Sequence, residues 1–350
     1  MEDSRFSLRN VAGRVADRIA FLRARAALAA GQDPKALRFD PGTLPWIDRP
    51  DADVAAYVAA LGDRAPADYD LREQLACWRE HGYVIFRKLI PESWIDAFVA
   101  DMDRLVAERA RMPTRVMAEG MGIRPISEFT LDEIEGPHVR VIDFHNQSVA
   151  AKRIILHPRI VEFIEHLFRD TVVAMQTLTY WRSSEQHTHQ DFAYVVANIA
   201  SQMCATWVAL EDVDADAGPL EYFPGSQRLP MFDFGNGMFA TTESTRTEIE
   251  FRDYLERECE ARGLQPVSFT PRKGDVLFWH AALAHRGGQV RDRALTRKSL
   301  VSHYSTATAY PWHRRALGRR PRICRYGRGL VYADPHLTGA EDTYPFAGNA

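Results

Sequence analysis

The chain has 350 residues, of which 46% are hydrophobic and 26% charged, as expected for a globular protein that buries a large core. Its formal net charge is −3, which excludes a general attraction to nucleic acid or to an anionic membrane surface. No apolar run approaches the roughly 20 residues that a membrane-spanning helix requires.

The N-terminal stretch is rich in Ala and Arg, and its spacing of apolar residues predicts a helix over residues 7–30. Four arginines interrupt the apolar core that a secretory signal would need, and several acidic residues argue against a transit peptide. We therefore expect a surface helix and assign residues 1–70 to an N-terminal helical extension. The four scattered cysteines form no Cys-x-x-Cys pair, so free thiols in a cytoplasmic protein are expected.

Further helices are predicted in the first half of the chain. Residues 39–53 read as a loop, and a helix follows over residues 68–82, which Gly82 ends. The β-rich run of residues 83–86 precedes a helix that Pro91 opens and that continues to about Arg111. Residues 158–169 form another short helix, whereas residues 112–150 mix Gly, Pro and charge without a clear period.

From about residue 171 the pattern changes to short, β-branched and aromatic segments separated by Gly and Pro turns. These predicted strands cover residues 171–181, 203–210, 275–280 and 298–305. Helices followed by many short strands predict a mainly β fold, a β-sandwich or jelly roll with helical buttresses.

A long insertion at about residues 229–268 interrupts the strands. Thr245-x-x-Glu248 resembles a capping box, and the pattern predicts a helix to about Arg262, before Gly263. The insertion lies between segments that carry candidate metal ligands. Two interpretations are open, an active-site lid and an outer packing helix.

Three residues have the spacing of a metal site. His189 and Asp191 are two positions apart, so on a strand their side chains point to the same face. His285 would come from a later strand. Two histidines and one carboxylate bind Fe(II) on one side and leave coordination positions open on the other.

Arg297 and Ser299 are also two positions apart and share one face of a predicted strand. An arginine holds a carboxylate by two parallel hydrogen bonds, and a nearby hydroxyl adds a third. The pair suits the far end of a dicarboxylate whose other end chelates the metal.

With these motifs, residues 75–306 resemble the phytanoyl-CoA dioxygenase-like family of Fe(II)/2-oxoglutarate dioxygenases. The resemblance rests on the metal and carboxylate motifs together with several sequence blocks. These blocks are Trp78-Arg79-Glu80-His81-Gly82-Tyr83-Val84-Ile85-Phe86, Trp207-Val208-Ala209-Leu210, Gly218-Pro219-Leu220, Phe223-Pro224-Gly225-Ser226 and Gly274-Asp275-Val276.

The resemblance implies a double-stranded β-helix, a cupin-like jelly roll, over residues 71–310, with Fe(II), 2-oxoglutarate and O₂. Carried over by position, His189, Asp191 and His285 bind iron, and Arg297 and Ser299 bind the distal carboxylate of 2-oxoglutarate. Two further residues are candidates for the cofactor site. Trp207 matches a Trp that the family often has near the cosubstrate. Gln176 alternates with Leu178 and Tyr180 on a predicted strand, which allows it to face the site.

The implied activity is hydroxylation of an unactivated C–H bond in a small-molecule or carrier-bound substrate, anionic ones included, with release of succinate and CO₂. Desaturation or cyclisation by the same metal site stays open. An alternative of another class is a non-oxidative, cupin-type metal-binding protein, which has no need of the buried dicarboxylate anchor at Arg297. Asp191 disfavours halogenation, because that variant of the family replaces the carboxylate by a small residue.

The chain departs from the family pattern at two places. Gln227 stands where the family often has His, and Arg286-Gly287-Gly288-Gln289 replaces a run that often carries Ser and Asn. The metal ligands are unaffected, but contacts with substrate and cosubstrate are open at these positions.

Other histidines compete with the ligands. We favour His189 over His187 and His285 over His280, because the family register selects them. His303 shares the strand parity of Arg297, and it either faces the pocket or is a core histidine.

The C-terminal segment, residues 311–350, is rich in arginine, with seven arginines in residues 314–328. One interpretation is an anion-binding rim for a phosphate, carboxylate or carrier-bound substrate. The other is a solvated face paired with acidic helices.

Overall fold

A computed structural model describes residues 39–195, 197–235, 244–311, 316–317 and 320–334. The helix predicted over residues 7–30 lies outside these residues. Residues 39–53, predicted as a loop, contain two short 3-10 turns, Pro41–Thr43 and Trp46–Asp48.

The α-helices are α1 (Val54–Leu61), α2 (Leu71–His81), α3 (Glu92–Ala107), α4 (Leu131–Ile134), α5 (Val149–Ile155), α6 (Pro158–Phe168) and α7 (Glu248–Ala261). Helix α2 begins at an Asp70 cap, whose side chain accepts a hydrogen bond from the Glu73 N–H, and it ends at Gly82 in the left-handed conformation. Pro158 occupies the first turn of α6, where its missing N–H leaves no bond unmade.

The strands are β1 (Tyr83–Phe86), β2 (Arg115–Ala118), β3 (Gly122–Pro125), β4 (Val139–Ile142), β5 (Val172–Tyr180), β6 (Met203–Ala209), β7 (Leu220–Tyr222), β8 (Val267–Phe269), β9 (Val276–His280), β10 (His285–Gly287), β11 (Ser299–Thr306), β12 (Ala316–Leu317), β13 (Arg320–Pro321), β14 (Ile323–Tyr326) and β15 (Gly329–Tyr332). The order β1-β9-β6-β11-β5-β4-β2-β3 forms the major sheet, and all of these neighbours are antiparallel. The order β10-β7-β8 forms a minor sheet. This mainly β, cupin-like jelly roll confirms the predicted fold class.

Alternation along the central strands separates a helix-facing side from the interior. On β9, Val276 and Phe278 belong to the cluster that packs under the helices, whereas Leu277 and Trp279 belong to the interior cluster between the sheets. On β6, Trp207 is on the interior side. The helices therefore cover one face of the major sheet, and its other face is left to build a site.

Two sequence-based assignments are corrected. The capping box of α7 is Thr247 with Glu250, not Thr245 with Glu248, because the Thr245 N–H already donates to the Phe234 carbonyl and the helix begins at Glu248. The second correction concerns residues 112–150, which hold the strand pairs β2–β3 and β2–β4. Their strands are four residues long, too short for a clear period in the sequence.

Gly218 lies where two loops approach each other closely. Its φ is +72°, and an added Cβ would lie 2.7 Å from the Gly288 carbonyl oxygen, 2.7 Å from Val290 and 2.9 Å from Ser183. We expect Gly218→Ala to lower the free energy of unfolding by roughly 2 to 4 kcal/mol, because left-handed strain and a backbone clash combine. Gly263→Ala is the matched control, with φ +66° but open space around it, and should cost about 1 kcal/mol. Urea unfolding measures both, and equal losses would contradict the clash.

In the described part of the chain, no helix combines the length and apolar character that crossing a membrane demands. The four cysteines are free thiols, and the two buried ones are Cys204 and Cys259.

Candidate active site

The His189–Asp191 segment is held against the start of β10. His189 and His285 form an isolated antiparallel bridge, in which each backbone N–H donates to the other carbonyl at 3.0 Å. Gln190 is extended, and Asp191 then begins a 3-10 turn, Asp191–Ala193. The prediction that both residues lie on a strand is therefore wrong in part, because the chain turns at Asp191. One extended residue between them still directs both side chains to the same side.

Three buried side chains meet at one point. The Asp191 Oδ1 atom lies 3.5 Å from His285 Nε2 and 3.8 Å from His189 Nε2. Ligand atoms of all three residues lie within 4.8 Å of one another. Donors that share one metal at about 2.1 Å lie roughly 3 Å apart on a face, so a small closure would complete the site. The donor set fits Fe(II).

Both histidines direct their Nε2 atoms toward Asp191 Oδ1. His189 Nδ1 lies 2.8 Å from its acceptor, the His187 carbonyl, and His285 Nδ1 lies 2.9 Å from the Leu283 carbonyl. A proton on each Nδ1 leaves the Nε2 lone pair free to bind a metal. Burial, then the neighbouring His285, lowers the pKa of His189 to about 3, so its imidazole is neutral at physiological pH.

Asp191 is held through its second oxygen. The Trp279 indole N–H donates to Asp191 Oδ2 at 2.7 Å, and His303 Nε2 lies 3.5 Å from the same atom. Burial raises the pKa of Asp191, but His285, His303 and His189 outweigh it and hold that pKa below its usual range. The carboxylate is therefore charged and oriented before any metal binds.

We expect Trp279→Phe to weaken Fe(II) binding by roughly 10- to 100-fold, because the ring stays but the support of the ligating carboxylate is lost. Competition with a chelator measures this affinity. Trp207→Phe is a control that removes an indole from the same cavity without touching Asp191. Equal Fe(II) affinities of the wild type and Trp279→Phe would contradict the role of this hydrogen bond.

Arg297 and Ser299 lie at the start of β11, one on either side of Lys298. Arg297 is 3% exposed, and its Nη1 donates to the Gly218 carbonyl at 3.0 Å, but its Nε has no hydrogen-bond partner in the described residues. The fully buried Ser299 Oγ also has no partner among the residues that the structure describes. Burial lowers the pKa of Arg297 to about 10, so it remains a cation. Buried donors without acceptors indicate a missing anionic group.

The three candidate metal ligands and Arg297 line one cavity of about 270 Å³. Gln176 and Trp207 line it too, and the Arg297 guanidinium carbon lies 5.6 Å from the Trp207 ring centre. Six of the seven predicted site residues therefore line one cavity, and the seventh, Ser299, is the first residue of β11, two positions after Arg297. A larger cavity of about 820 Å³ contacts Gln190 and Phe192 but none of these seven residues.

The competing histidines lie away from the donor point, except His303. His187 is half-buried with Nε2 3.9 Å from Glu248, and His280 faces Asp48 at 3.4 Å. His303 is buried in the cavity beside Asp191, so the pocket interpretation of this residue holds.

The departures from the family pattern have local explanations. Gln227 donates to the carbonyls of Arg79 and Glu80 at the end of α2, away from the cavity. Gly287 and Gly288 pack against backbone, where added Cβ atoms would lie 2.8 Å from the Glu185 nitrogen and 2.5 Å from the Pro219 oxygen.

The insertion packs its helix against the domain. Phe251, Tyr254 and Leu255 of α7 are buried in a cluster with Phe232 and Phe234. This is the contact pattern of an outer packing helix. On its other side, Thr188 beside the metal ligands donates to Glu256 at 2.8 Å.

Three side chains of the arginine-rich segment are described, and each contacts the protein itself. Arg328 pairs with Glu165 and Glu162 of α6, Arg322 with Asp334, and Arg325 donates to the Arg328 carbonyl. These contacts fit the second interpretation, a solvated face whose arginines pair with acidic residues of the protein itself. The other four side chains, Arg314, Arg315, Arg319 and Arg320, lie outside the described part.

Sequence reasoning missed Arg140 and Met117, which line the metal cavity from β4 and β2. Both belong to residues 112–150, which had no assignment. The run Val139-Arg140-Val141-Ile142 holds the one available signal, a charged residue within a β-rich tetrapeptide.

Comparison with known proteins agrees with this site. The family described as phytanoyl-CoA dioxygenase (PhyH) matches residues 78–299. The human peroxisomal phytanoyl-CoA dioxygenase is 22% identical over 258 residues, covering 68% of this chain and 69% of that protein. The rat protein of the same name is 21% identical over 244 residues, covering 67% and 68%.

Solved structures share the fold. EctD from S. alaskensis with bound Fe has a TM-score of 0.52 and 17% identity, covering 70% of this chain and 80% of EctD. The α-ketoglutarate-dependent carbocyclase SnoK from nogalamycin biosynthesis has a TM-score of 0.51 and 18% identity, covering 69% and 85%. Because the family match spans well over half of the 350 residues, this chain belongs to the phytanoyl-CoA dioxygenase (PhyH) family.

Proposed function

We propose that this protein is an Fe(II)/2-oxoglutarate-dependent dioxygenase that hydroxylates an unactivated C–H bond of a small-molecule or carrier-bound substrate. One observation carries the proposal. Two imidazoles and one carboxylate converge in the same cavity as a buried arginine, and this arginine and the nearby buried Ser299 have donors that lack acceptors among the described residues. A metal and an anionic cosubstrate would satisfy both groups.

His189, Asp191 and His285 would hold Fe(II), which supplies the oxidising power by activating O₂ together with 2-oxoglutarate. The protein's own contribution is orientation. Backbone carbonyls fix the two imidazoles, and Trp279 and His303 fix the carboxylate. Three ligands on one face leave the opposite side of the cavity to the reactants.

Arg297 and Ser299 would bind the distal carboxylate of 2-oxoglutarate, with the Trp207 ring beside the guanidinium. Gln176, two positions before Leu178 on β5, lines the same cavity and would contact the cosubstrate as well. Apolar side chains such as Leu220 and Val301 complete the walls. They limit water at the reacting centre, which strengthens the electrostatic contacts inside.

Two proteins of similar fold catalyse other reactions. SnoK is an α-ketoglutarate-dependent carbocyclase, and SnoN, which has a TM-score of 0.50 with this chain, is an α-ketoglutarate-dependent epimerase. Desaturation or cyclisation therefore stays an alternative to hydroxylation. A non-oxidative cupin-type protein is disfavoured, because it would have no use for the buried cation Arg297.

The test is anaerobic addition of Fe(II) and 2-oxoglutarate to the purified protein, followed by O₂. We expect a weak visible charge-transfer band before O₂ and succinate after it. His285→Ala should abolish both, whereas His280→Ala should keep both. A folded, metal-loaded wild type without the band would refute the proposal. A screen of amino acids, acyl thioesters, nucleotides and glycans, coupled to succinate release, then identifies the substrate and the C–H bond.

The catalytic domain proposed for this chain is residues 71–310, with residues 1–70 as an extension and residues 311–350 as a segment packed on the core. Strand β15 pairs in parallel with β5, which supports the packing of the last segment. A cytoplasmic location is part of the proposal, because the four cysteines are free thiols.

A further inference from the structure

Arg140 reaches the metal cavity from β4, opposite Met117 on β2. Its guanidinium donates to the Met117 sulfur at 2.8 Å and 3.1 Å and to the Gln186 side-chain oxygen at 3.4 Å. A thioether is a weak acceptor, and the amide contact is long. Arg140 is half-buried and also hydrogen-bonds the Tyr180 side chain, but none of these uncharged partners neutralises the guanidinium.

Within the described residues, Arg140 has no carboxylate partner within 4.0 Å. The other arginines of the cavity differ. Arg286 pairs with Glu221 at 2.7 Å and Glu256 at 3.8 Å, and Arg297 has the proposed cosubstrate as its partner. Arg140 is therefore the cation of this cavity that neither the described protein nor the proposed cofactors neutralise.

A sum of the formal charges in the loaded cavity also identifies Arg140 as the unbalanced cation. The two positive charges of Fe(II) and the charge of Arg297 balance Asp191 and the dianionic cosubstrate. Imidazoles that bind the metal through a nitrogen lone pair add no charge, and Arg286 is already paired. The loaded cavity would retain one positive charge, at Arg140, and a cavity lined by one sign of charge concentrates ligands of the other sign.

A second donor faces the same space. The Tyr194 hydroxyl is buried and has no hydrogen-bond partner among the described residues, and its ring packs edge-on against His189 at 5.5 Å. Tyr194 lines the same cavity, so its hydroxyl is available to donate to an acceptor that binds close to the metal ligands.

We infer that Arg140, together with the Tyr194 hydroxyl, binds an oxyanion of the substrate, a carboxylate or a phosphate group. The inference rests on the proposed function, because the oxyanion belongs to the substrate of the proposed dioxygenase. That substrate would be a small molecule whose negatively charged group lies a short distance from the oxidised carbon. Arg140 acts as a specificity-determining residue, because an uncharged analogue leaves its half-buried guanidinium without a charged partner.

The test measures binding of benzoate, phenyl phosphate and benzamide to protein loaded with Fe(II) and 2-oxoglutarate under argon. The probes share a ring and differ in charge, and Trp207 and Trp279 in the cavity supply a fluorescence signal. We expect at least one acid to bind at least 10-fold more tightly than benzamide. Tighter binding of benzoate would indicate a carboxylate ligand, and tighter binding of phenyl phosphate would indicate a phosphate ligand.

Arg140→Gln should weaken binding of that acid by about 10- to 100-fold and leave benzamide unchanged. Arg140→Lys should retain part of the preference. The matched control is Arg124→Gln on neighbouring β3, an exposed arginine paired with Glu128, which should behave as wild type. Acids that bind no better than benzamide, or equally to Arg140→Gln, would overturn the inference. So would a matching rise in the Kd for 2-oxoglutarate in Arg140→Gln, because Arg140 would then serve the cosubstrate.

Succinate formation without substrate, measured in parallel, separates the two proposals. Acid preference that depends on Arg140 in a protein that never forms succinate would reject the dioxygenase and keep the anion site. Succinate formation without acid preference would reject the anion site alone.

Discussion

Replacing Asp191 by alanine is expected to abolish succinate formation. Asp191 is the carboxylate of the proposed metal site, with Oδ1 3.5 Å and 3.8 Å from the two histidine nitrogens. Losing a ligand outright should lower Fe(II) affinity by more than the roughly 10- to 100-fold that losing a ligand's supporting group costs. Titration of Fe(II) under argon and succinate release after O₂ measure the two effects.

Two companion variants make this result specific. Asp191→Asn keeps the shape and an oxygen near the Trp279 N–H but removes the charge, so it should also fail to form succinate while remaining folded. His187→Ala lies four residues before Asp191, outside the cavity, and should retain metal binding and turnover. Unchanged turnover in Asp191→Ala would show that this residue is not a ligand.

Arg297→Met should raise the Kd for 2-oxoglutarate by about two to three orders of magnitude. Loss of one partner of a buried, hydrogen-bonded charge pair costs roughly 2 to 5 kcal/mol, and each 1.4 kcal/mol is tenfold. Fe(II) affinity should change little, because Arg297 does not contact the metal ligands. Titration of the charge-transfer band with 2-oxoglutarate measures the shift.

The same substitution should barely affect stability without cosubstrate. In the absence of an anion, the Arg297 guanidinium is buried with an unsatisfied Nε, and methionine of similar length removes that cost while losing the bond to Gly218. We expect the free energy of unfolding to change by less than about 1 kcal/mol. Arg297→Lys, which keeps the charge but loses the fork, should bind 2-oxoglutarate with intermediate affinity. Strong destabilisation by Arg297→Met, with normal cosubstrate binding, would assign Arg297 to the fold instead.

The metal motif could be predicted because its geometry is local. His189 and Asp191 need only one extended residue between them, and Gln190 provides it even though Asp191 leaves the strand geometry. The same two-residue spacing relates Arg297 to Ser299, the first residue of β11. The family blocks then select His285 over His280, which no local argument could do.

Local signals failed where long-range contacts decide. Thr245 has the spacing of a helix cap, but its N–H is used by Phe234 in the folded chain, so the helix begins two residues later. Strands β2 and β4 are too short to show a period and are strands only because they pair with each other and with the major sheet. Arg140 could not be assigned to the cavity from the sequence, because the strand that carries it, β4, was not predicted.

The sequence by itself determined the fold class and the family, and it supplied the candidate metal ligands and the candidate cosubstrate anchor, because these depend on residue type and short spacing. The tertiary structure decided which side chains support and surround them. Trp279 and His303 reach Asp191, Gly218 accepts from Arg297, and Arg140 enters the cavity from a separate strand. The Trp279–Asp191 and Arg297–Gly218 hydrogen bonds each join residues more than 70 positions apart in the chain. Only the pairing register of the sheets brings such residues together.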